Sequence, residues 1–217
     1  MNVYFISGLG ADKRIFSKIR LNDKFKIIHL DWISFEKKET LKSYAERLCK
    51  SIDKSESFSI VGVSFGGMIA VEMAKLLKPN VTIVISGTIL SEDLPIIYKL
   101  AGKLGIIKFT PANILKSSNG LTQNYFFGTK LKEEKALLNE IIKDTDANFL
   151  KWAIGSIVKW KNNTKPANLL WIHGNNDKIL YTKKAKPDFL IKDGTHFMVY
   201  QNANEISEIL NSVLAKI

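Results

Sequence analysis

The stretch Gly62-Val63-Ser64-Phe65-Gly66 places one serine among glycines, between two apolar segments. The residues FSIVGV before the serine are typical of a buried strand, and MIAVEMAKLL after it is typical of a helix. A G-x-S-x-G sequence in this context predicts a tight strand-to-helix turn, because glycines let the helix pass close to the strand. Such a turn holds the hydroxyl at a helix N-terminus, which favours developing negative charge. Ser64 is therefore the candidate nucleophile.

A serine nucleophile needs a base, and the base needs an acid that orients it. His196 lies in KDGTHFMVY, a loop after the last strand pattern, and is the candidate base. The other two histidines, His29 within a strand and His173 at the end of one, are interpreted as packing residues. Asp177 follows a strand in HGNNDKI. The chain order Ser64, Asp177, His196 is one in which such triads occur.

Asp193 is the rival acid, because it lies only three residues before His196. Its carboxylate would have to fold back within the same turn to reach the imidazole, and we expect it to cap that turn or stay solvated. Asp177 follows a separate strand, which can hold it on the far side of the ring from the serine. The sequence therefore favours Asp177 as the acid.

Strand-like and helical segments alternate along the chain. Apolar runs predict strands over 2–7, 25–32, 58–64, 81–87, 168–174 and 189–194. Between them, amphipathic patterns predict helices over 40–52, 66–78 and 202–217, and a short one that follows Asp12 as its cap. Near-continuous Val, Ile and Leu runs that alternate with helices indicate an α/β fold, a parallel sheet covered on both faces.

Residues 89–165 interrupt this alternation. They contain no clear strand pattern, and helical periodicity predicts helices over 91–104, 131–144 and 146–160. The segment is too long for a connection, so we interpret it as a helical cap inserted into a core of residues 1–88 and 166–217. The large apolar residues expected to form a pocket wall there are Leu94, Ile97, Tyr125, Phe126 and Trp152.

The net charge of +11 raises the question of a nucleic-acid partner. Only three of the 32 basic residues are arginines, namely Arg14, Arg20 and Arg47. Arginine is the side chain that bidentate recognition of phosphate or guanine prefers, and the lysines are spread along the whole chain. We therefore expect a lysine-rich solvated surface and no nucleic-acid partner.

Composition limits the other classes of protein. The 217 residues are enough for one α/β domain, and no apolar run reaches the ~20 residues of a membrane span. Cys49, the one cysteine, is expected to be a packed thiol. No metal-ligand spacing or nucleotide-binding motif is found, so we expect no metal and no cofactor. The first residues do not resemble a secretory signal, and a cytoplasmic location is expected.

The elbow GVSFGG, the segment IHGNND and the segment DGTHFM together resemble the three catalytic motifs of the α/β-hydrolase superfamily. The resemblance covers essentially the whole chain and implies a trimmed sheet of about six mostly parallel strands with a helical lid at 89–165. FISGLG at 5–10 resembles the family's oxyanion loop, except that Ser7 stands where a histidine is common. By resemblance, the backbone N–H groups of Leu9 and Phe65 form the oxyanion hole.

The resemblance implies a serine hydrolase that cleaves a small carboxylic ester or a related acyl compound through an acyl-enzyme. Two alternatives stay open at the level of sequence. The same triad can transfer the acyl group to an alcohol or thiol, or the chain can be a ligand-binding protein with little turnover.

Overall fold

The computed structural model describes residues 1–116, 120–181 and 186–217, and its centre is a six-stranded sheet. The strand order is β2-β1-β3-β4-β5-β6, and every neighbouring pair is parallel. The strands are β1 (Asn2–Ile6), β2 (Lys26–Leu30), β3 (Phe58–Val63), β4 (Thr82–Ile85), β5 (Leu169–Gly174) and β6 (Phe189–Ile191). The prediction of about six mostly parallel strands is confirmed.

Ten α-helices connect and cover these strands in the described residues. They are α1 (Leu41–Leu48), α2 (Phe65–Leu77), α3 (Ile96–Leu104), α4 (Ile106–Phe109), α5 (Ala112–Lys116), α6 (Gly120–Phe127), α7 (Lys132–Asp144), α8 (Ala147–Lys159), α9 (Met198–Gln201) and α10 (Ala203–Leu214). Single 3₁₀ turns occupy Lys13–Phe16, Cys49–Ser51 and Ser91–Asp93. In the part of the chain that the structure describes, no helix is long and apolar enough to cross a membrane.

Two apolar cores lie on opposite faces of the sheet. Successive side chains of a strand point to opposite faces, so Tyr4 of β1 packs in the core beneath α1 and α2, while Phe5 packs in the core beneath α10. Both residues are at most 2% exposed, which is why the strand sequences are apolar throughout. Cys49 lies in the first core, and burial raises the pKa of its thiol to about 11, as expected for a packed thiol.

The helix expected after β1 is only one 3₁₀ turn. Asp12 caps it as expected, because its carboxylate accepts a hydrogen bond from the backbone N–H of Arg14. Ile19 lies beyond the end of this turn but is buried beside Ile15 and Phe16. The apolar spacing therefore identified the buried face correctly and overstated the length of the helix.

The described residues between β4 and β5 contain helices joined by loops, and no strand. The three helices expected there correspond to α3, α7 and α8, whereas α4, α5 and α6 were not predicted. Two of these, α4 and α5, have at most five residues, too few for a periodic pattern to show. Helix α8 packs against α1 through Tyr44 and Trp152, whose ring centroids are 4.7 Å apart. Trp152 also stacks on Phe35.

Candidate active site

Ser64 lies in a strained turn between β3 and α2. Its φ of 53° and ψ of −116° are in a region that residues with a Cβ rarely adopt. Close packing around the turn requires glycine on both sides. A Cβ on Gly62 would lie 2.7 Å from Cα of Gly67, and a Cβ on Gly66 would overlap the carbonyl oxygen of Ser7 at the end of β1. These contacts account for the glycines of the G-x-S-x-G sequence.

His196 joins Ser64 to Asp177 in one hydrogen-bonded chain. Nε2 of His196 lies 3.0 Å from Oγ of Ser64, and Nδ1 lies 2.8 Å from Oδ2 of Asp177. An ionised carboxylate can only accept hydrogen bonds, so Nδ1 carries the proton and Nε2 presents its lone pair to the serine hydroxyl. The structure thus brings the predicted nucleophile, base and acid together.

Asp177 is held by its own loop as well as by the histidine. Its Oδ1 accepts hydrogen bonds from the backbone N–H groups of Ile179 at 2.8 Å and Leu180 at 2.9 Å. Burial by itself would raise the pKa of this carboxyl, but the electrostatic interaction and hydrogen bond with His196, together with the backbone N–H of Leu180, bring the pKa below its usual value. Asp177 is therefore a buried, ionised acceptor in a fixed orientation.

His173 supports the same loop from the core. Its Nε2 lies 2.9 Å from the carbonyl oxygen of Leu180 and 3.8 Å from Oδ2 of Asp177. Burial lowers the pKa of His173, and its ring packs against Trp171. The neutral imidazole can donate from Nε2 to the Leu180 carbonyl. His29 is stacked on Phe16 and does not line the cavity described below.

The loop that carries His196 is tied to the helical segment above the sheet. Oγ1 of Thr195 donates to Oε1 of Gln201 at 2.6 Å, and Nε2 of Gln201 donates to the carbonyl oxygen of Gly128 and to the carboxylate of Glu134. A Cβ on Gly128, whose φ is 74°, would lie 2.5 Å from Cβ of Thr195. This network holds Thr195, the residue before His196, against Gly128 and Gln201.

Asp193 takes no part in the hydrogen-bonded chain. Both ring nitrogens of His196 are occupied, one by Asp177 and the other by Ser64. Asp193 is exposed, with a φ of 57°, and its backbone N–H donates to Oδ1 of Asn175 at 2.6 Å. The carboxylate that follows β5 is thus the one that contacts the imidazole.

Ser86 also follows a strand, because it comes directly after β4. It is fully buried, and its Oγ has no hydrogen-bond partner among the residues that the structure describes. Within the described ranges, no group of three or more His, Cys, Asp or Glu side chains is placed so that it could hold a metal ion. Ser64 differs from Ser86 in that its Oγ contacts an imidazole and it lines the cavity described below.

An apolar cavity of about 340 Å³ opens beside Ser64 and His196. Leu9 and Phe65, the expected sources of the oxyanion donors, both line it. Gly8 approaches the serine closely, since a Cβ there would lie 3.5 Å from Cβ of Ser64. The helices between β4 and β5 contribute most of the remaining wall: Tyr98, Phe127, Leu138, Ile141, Ile142, Leu150, Ile154, Ile157 and Val158.

The cavity wall was not predicted at the level of single residues. None of Leu94, Ile97, Tyr125, Phe126 and Trp152 lines the cavity. Leu94 is buried in the core, Trp152 stacks on Phe35, and the other three are exposed. Helical spacing identified apolar helices, but it could not determine which face of each helix turns toward the serine.

Two aromatic residues of the wall contact the hydrogen-bonded chain or its loop, and sequence reasoning missed both. The ring of Phe127 meets that of His196 edge-on, with centroids 5.5 Å apart. The hydroxyl of Tyr98 donates to the carbonyl oxygen of Ile179, two residues after Asp177. Phe127 directly follows Phe126 and Tyr98 directly follows Ile97, so the helix phase was wrong by one residue.

Solved structures of other proteins share this architecture. The chain is similar to a lipase-esterase related protein from Clostridium acetobutylicum (16% identity, TM-score 0.68, 98% of this chain and 93% of that chain covered). It is also similar to a thermophilic esterase from Thermogutta terrifontis (15%, 0.70, 100% and 90%) and a hydrolase from Oleispira antarctica (16%, 0.69, 96% and 89%). No protein-family model and no curated protein sequence matches the chain. The chain has the α/β-hydrolase fold.

The strain at Ser64 gives a stability prediction. Ser64→Ala keeps the Cβ and therefore the strained φ, whereas Ser64→Gly removes it. Relief of about 1–3 kcal/mol of strain, less the 0.5–1 kcal/mol or so that glycine costs in chain entropy, should make the glycine variant more stable than the alanine variant by about 1 kcal/mol. Urea unfolding of both variants measures the difference. An alanine variant more stable than the glycine variant by about 0.5–1 kcal/mol, the entropy term alone, would show that the turn is unstrained.

Proposed function

We propose that the chain is a serine hydrolase that cleaves a small carboxylic ester, or a related acyl compound, through an acyl-enzyme. The observation that carries this proposal is the hydrogen-bonded chain Asp177–His196–Ser64 at the mouth of an apolar cavity. The likeness of the fold to solved esterases is consistent with it.

In the proposed reaction, Ser64 is the nucleophile and His196 the general base. As Oγ attacks the acyl carbonyl, its proton moves to Nε2 of His196, and Asp177 stabilises the resulting imidazolium. The tetrahedral intermediate collapses, the proton passes from the imidazolium to the leaving alcohol, and an acyl-enzyme remains. Water activated by the same imidazole then releases the carboxylic acid and restores the serine.

The backbone N–H groups of Leu9 and Phe65 are proposed to stabilise the negative oxygen of the intermediate. Both residues line the cavity next to Ser64, and Phe65 begins helix α2, whose dipole adds positive potential. Donors of this kind contribute about 3–4 kcal/mol each to the transition state. They are backbone groups, so the serine at position 7 does not remove them.

We assign residues 89–165 as a cap that shapes the substrate site on a core of 1–88 and 166–217. The support for this assignment is that α6, α7 and α8 supply apolar wall to a cavity that Ser64 also lines. The apolar part of this wall favours an uncharged acyl chain, because burying an unpaired charge against it would be costly. Lys116 also lines the cavity, and its ammonium donates to the carbonyl oxygens of Lys143 and Thr145. The reaction needs no metal or cofactor, since every proton transfer is assigned to a side chain.

Covalent labelling tests the nucleophile. A fluorophosphonate should add once to the wild-type protein, as seen by intact-mass spectrometry, and not at all to Ser64→Ala. Ser86→Ala is the matched control, since it removes a buried serine that follows a neighbouring strand, and it should label like the wild type. Labelling that persists in Ser64→Ala would place the nucleophile elsewhere.

A series of p-nitrophenyl esters with increasing acyl chain length tests the reaction class. We expect Ser64-dependent turnover with a maximum where the chain fills the cavity. If every ester fails while the fluorophosphonate still adds to Ser64, the nucleophile is correct and the acyl compound is of another class. Added alcohols or thiols in the assay separate hydrolysis from acyl transfer, because transfer yields a new ester from an alcohol or a thioester from a thiol.

Substitution of Asp177 and substitution of Asp193 should have unequal effects on kcat. Asp177→Asn presents the wrong tautomer to the serine and should lower kcat by about 10⁴ with the fold intact. Asp193→Asn should change kcat by about tenfold or less, on a scale where a lost acid–base group costs about 10²–10⁴. Asparagine also tolerates the positive φ of this position, so the control variant is matched. The reverse order, measured with one ester, would identify Asp193 as the acid.

Enlarging the cavity should shift the acyl preference. Leu150→Ala and Ile154→Ala remove apolar wall and should move the best chain length upward, with kcat/KM for the longest esters rising relative to the shortest. Leu100→Ala and Leu104→Ala are the controls, because both residues are exposed on α3 and neither lines the cavity. A chain-length profile that responds equally to both pairs would contradict the assignment of the cap.

A further inference from the structure

The loop that carries Leu9 is fixed by two side chains that donate to one carbonyl. The carbonyl oxygen of Ala11 accepts a hydrogen bond from Oγ of Ser7 at 2.6 Å and from Nε1 of Trp32 at 2.8 Å. A backbone turn closes the same loop, since the N–H of Ala11 donates to the carbonyl oxygen of Gly8 at 2.9 Å. The loop contains Gly8 and Gly10, which by themselves would leave its backbone free to rearrange.

Trp32 also contacts the other side of the site. Its ring lies 5.5 Å from the ring of Phe65, centroid to centroid, and 5.4 Å from that of Phe149 at the start of α8. The chain around Trp32 is itself fixed, because the hydroxyl of the fully buried Tyr44 bonds both the N–H and the carbonyl oxygen of Ile33. One indole therefore joins the Leu9 loop to the first residue of α2.

We propose that Trp32 and Ser7 are positioning residues that hold the backbone N–H groups of Leu9 and Phe65 at a fixed separation. This inference rests on the proposed function, in which those two groups bind the negative oxygen. Neither Trp32 nor Ser7 lines the cavity, so neither contacts the acyl compound in this role.

Two features of the geometry support a positioning role over simple packing. The indole N–H of Trp32 is directed to a carbonyl two residues from Leu9, so its bond fixes the loop and not merely the ring. A third side-chain hydrogen bond to the loop, from Oγ1 of Thr145 to the carbonyl oxygen of Gly10 at 2.8 Å, comes from the end of α7. Trp32 both donates to this loop and contacts the ring of Phe65.

Oxyanion donors act through placement, and misplacement by about 1 Å can cost 10²-fold in rate. Loss of the Trp32 bond should therefore lower kcat more than it raises KM, because the donors contact the oxygen only as negative charge develops. Loss of the Ser7 bond should have the same character. Since both side chains donate to one oxygen, their effects should be non-additive.

The test compares Trp32→Phe with Trp152→Phe. Both changes keep an aromatic ring and remove an indole N–H. The Trp152 ring also contacts that of Phe65, with centroids 6.1 Å apart, but its N–H donates to the carbonyl oxygen of Glu39. For Trp32→Phe we expect kcat to fall by about 10- to 100-fold relative to the wild type. We expect KM to stay within about threefold of the wild-type value. A trifluoromethyl ketone, whose adduct with Ser64 carries a negative oxygen, should bind more weakly by the same factor. Trp152→Phe should stay within about twofold of the wild type.

Hydrogen exchange provides a readout that is independent of turnover. Amide exchange of peptides covering residues 7–11 should become about tenfold faster in Trp32→Phe and in Ser7→Ala, and should not change in Trp152→Phe. If Trp32→Phe fails to fold, Ser7→Ala keeps the indole and tests the same tether.

The inference is overturned if the amide hydrogen exchange rate of peptides covering residues 7–11 is the same in the wild type, Trp32→Phe and Ser7→Ala. It is overturned as well if kcat falls while affinity for the ketone is unchanged, or if Trp152→Phe has an equal effect. Failure of the proposed function has a different signature, namely a wild-type protein that shows no Ser64-dependent labelling or hydrolysis while the exchange differences persist.

Discussion

The arrangement of the site depends on the close approach of helix α2 to the ends of β1 and β3. Gly62, Gly66 and Gly67 allow this approach, because a Cβ at any of them would overlap a neighbouring backbone or side chain. The chain then has too little room for an ordinary turn, and Ser64 takes a positive φ. The same packing directs the serine toward the cavity and places the first N–H groups of α2 beneath it. The strain is offset by the buried strand and helix on either side.

The parallel sheet turns separate stretches of sequence into one site. All carboxyl ends of parallel strands meet at the same edge, so the residues that follow β1, β3, β5 and β6 converge there. Asp177 and His196 follow neighbouring strands and meet at 2.8 Å, although they are 19 residues apart in the chain. The low pKa of the Asp177 carboxyl results from this convergence, because its main stabilising partner comes from another strand.

The features that follow from local residue patterns and from chain order could be predicted from the sequence. The six strands, the turn at Ser64 and the pairing of Asp177 with His196 each leave a signal of apolar runs, glycines or element ends. The residues of the cavity wall leave no such signal. Phe127 and its exposed neighbour Phe126 are the same residue type, and only the rotation of the helix decides which of them faces the cavity. The hydrogen bond from Trp32 to Ala11 could not be predicted either. It joins two loops whose separation is determined only once the sheet has packed. Helices as short as α4 and α5 carry too few residues to show a period.

The network around Gln201 limits how far the helical segment can be exchanged as a module. Glu134, in the first turn of α7, is buried and accepts the amide of Gln201, which also binds Gly128 and Thr195 next to His196. A chimera that replaced all of residues 89–165 would remove this acceptor and leave a polar amide without its partner beside the imidazole. A graft that ends before Gly128 would retain the network and still replace Tyr98 and Phe127. The boundary for such an exchange is therefore set by the hydrogen bonds of Gly128 and Glu134 with Gln201, and not by the end of the helical segment at residue 165.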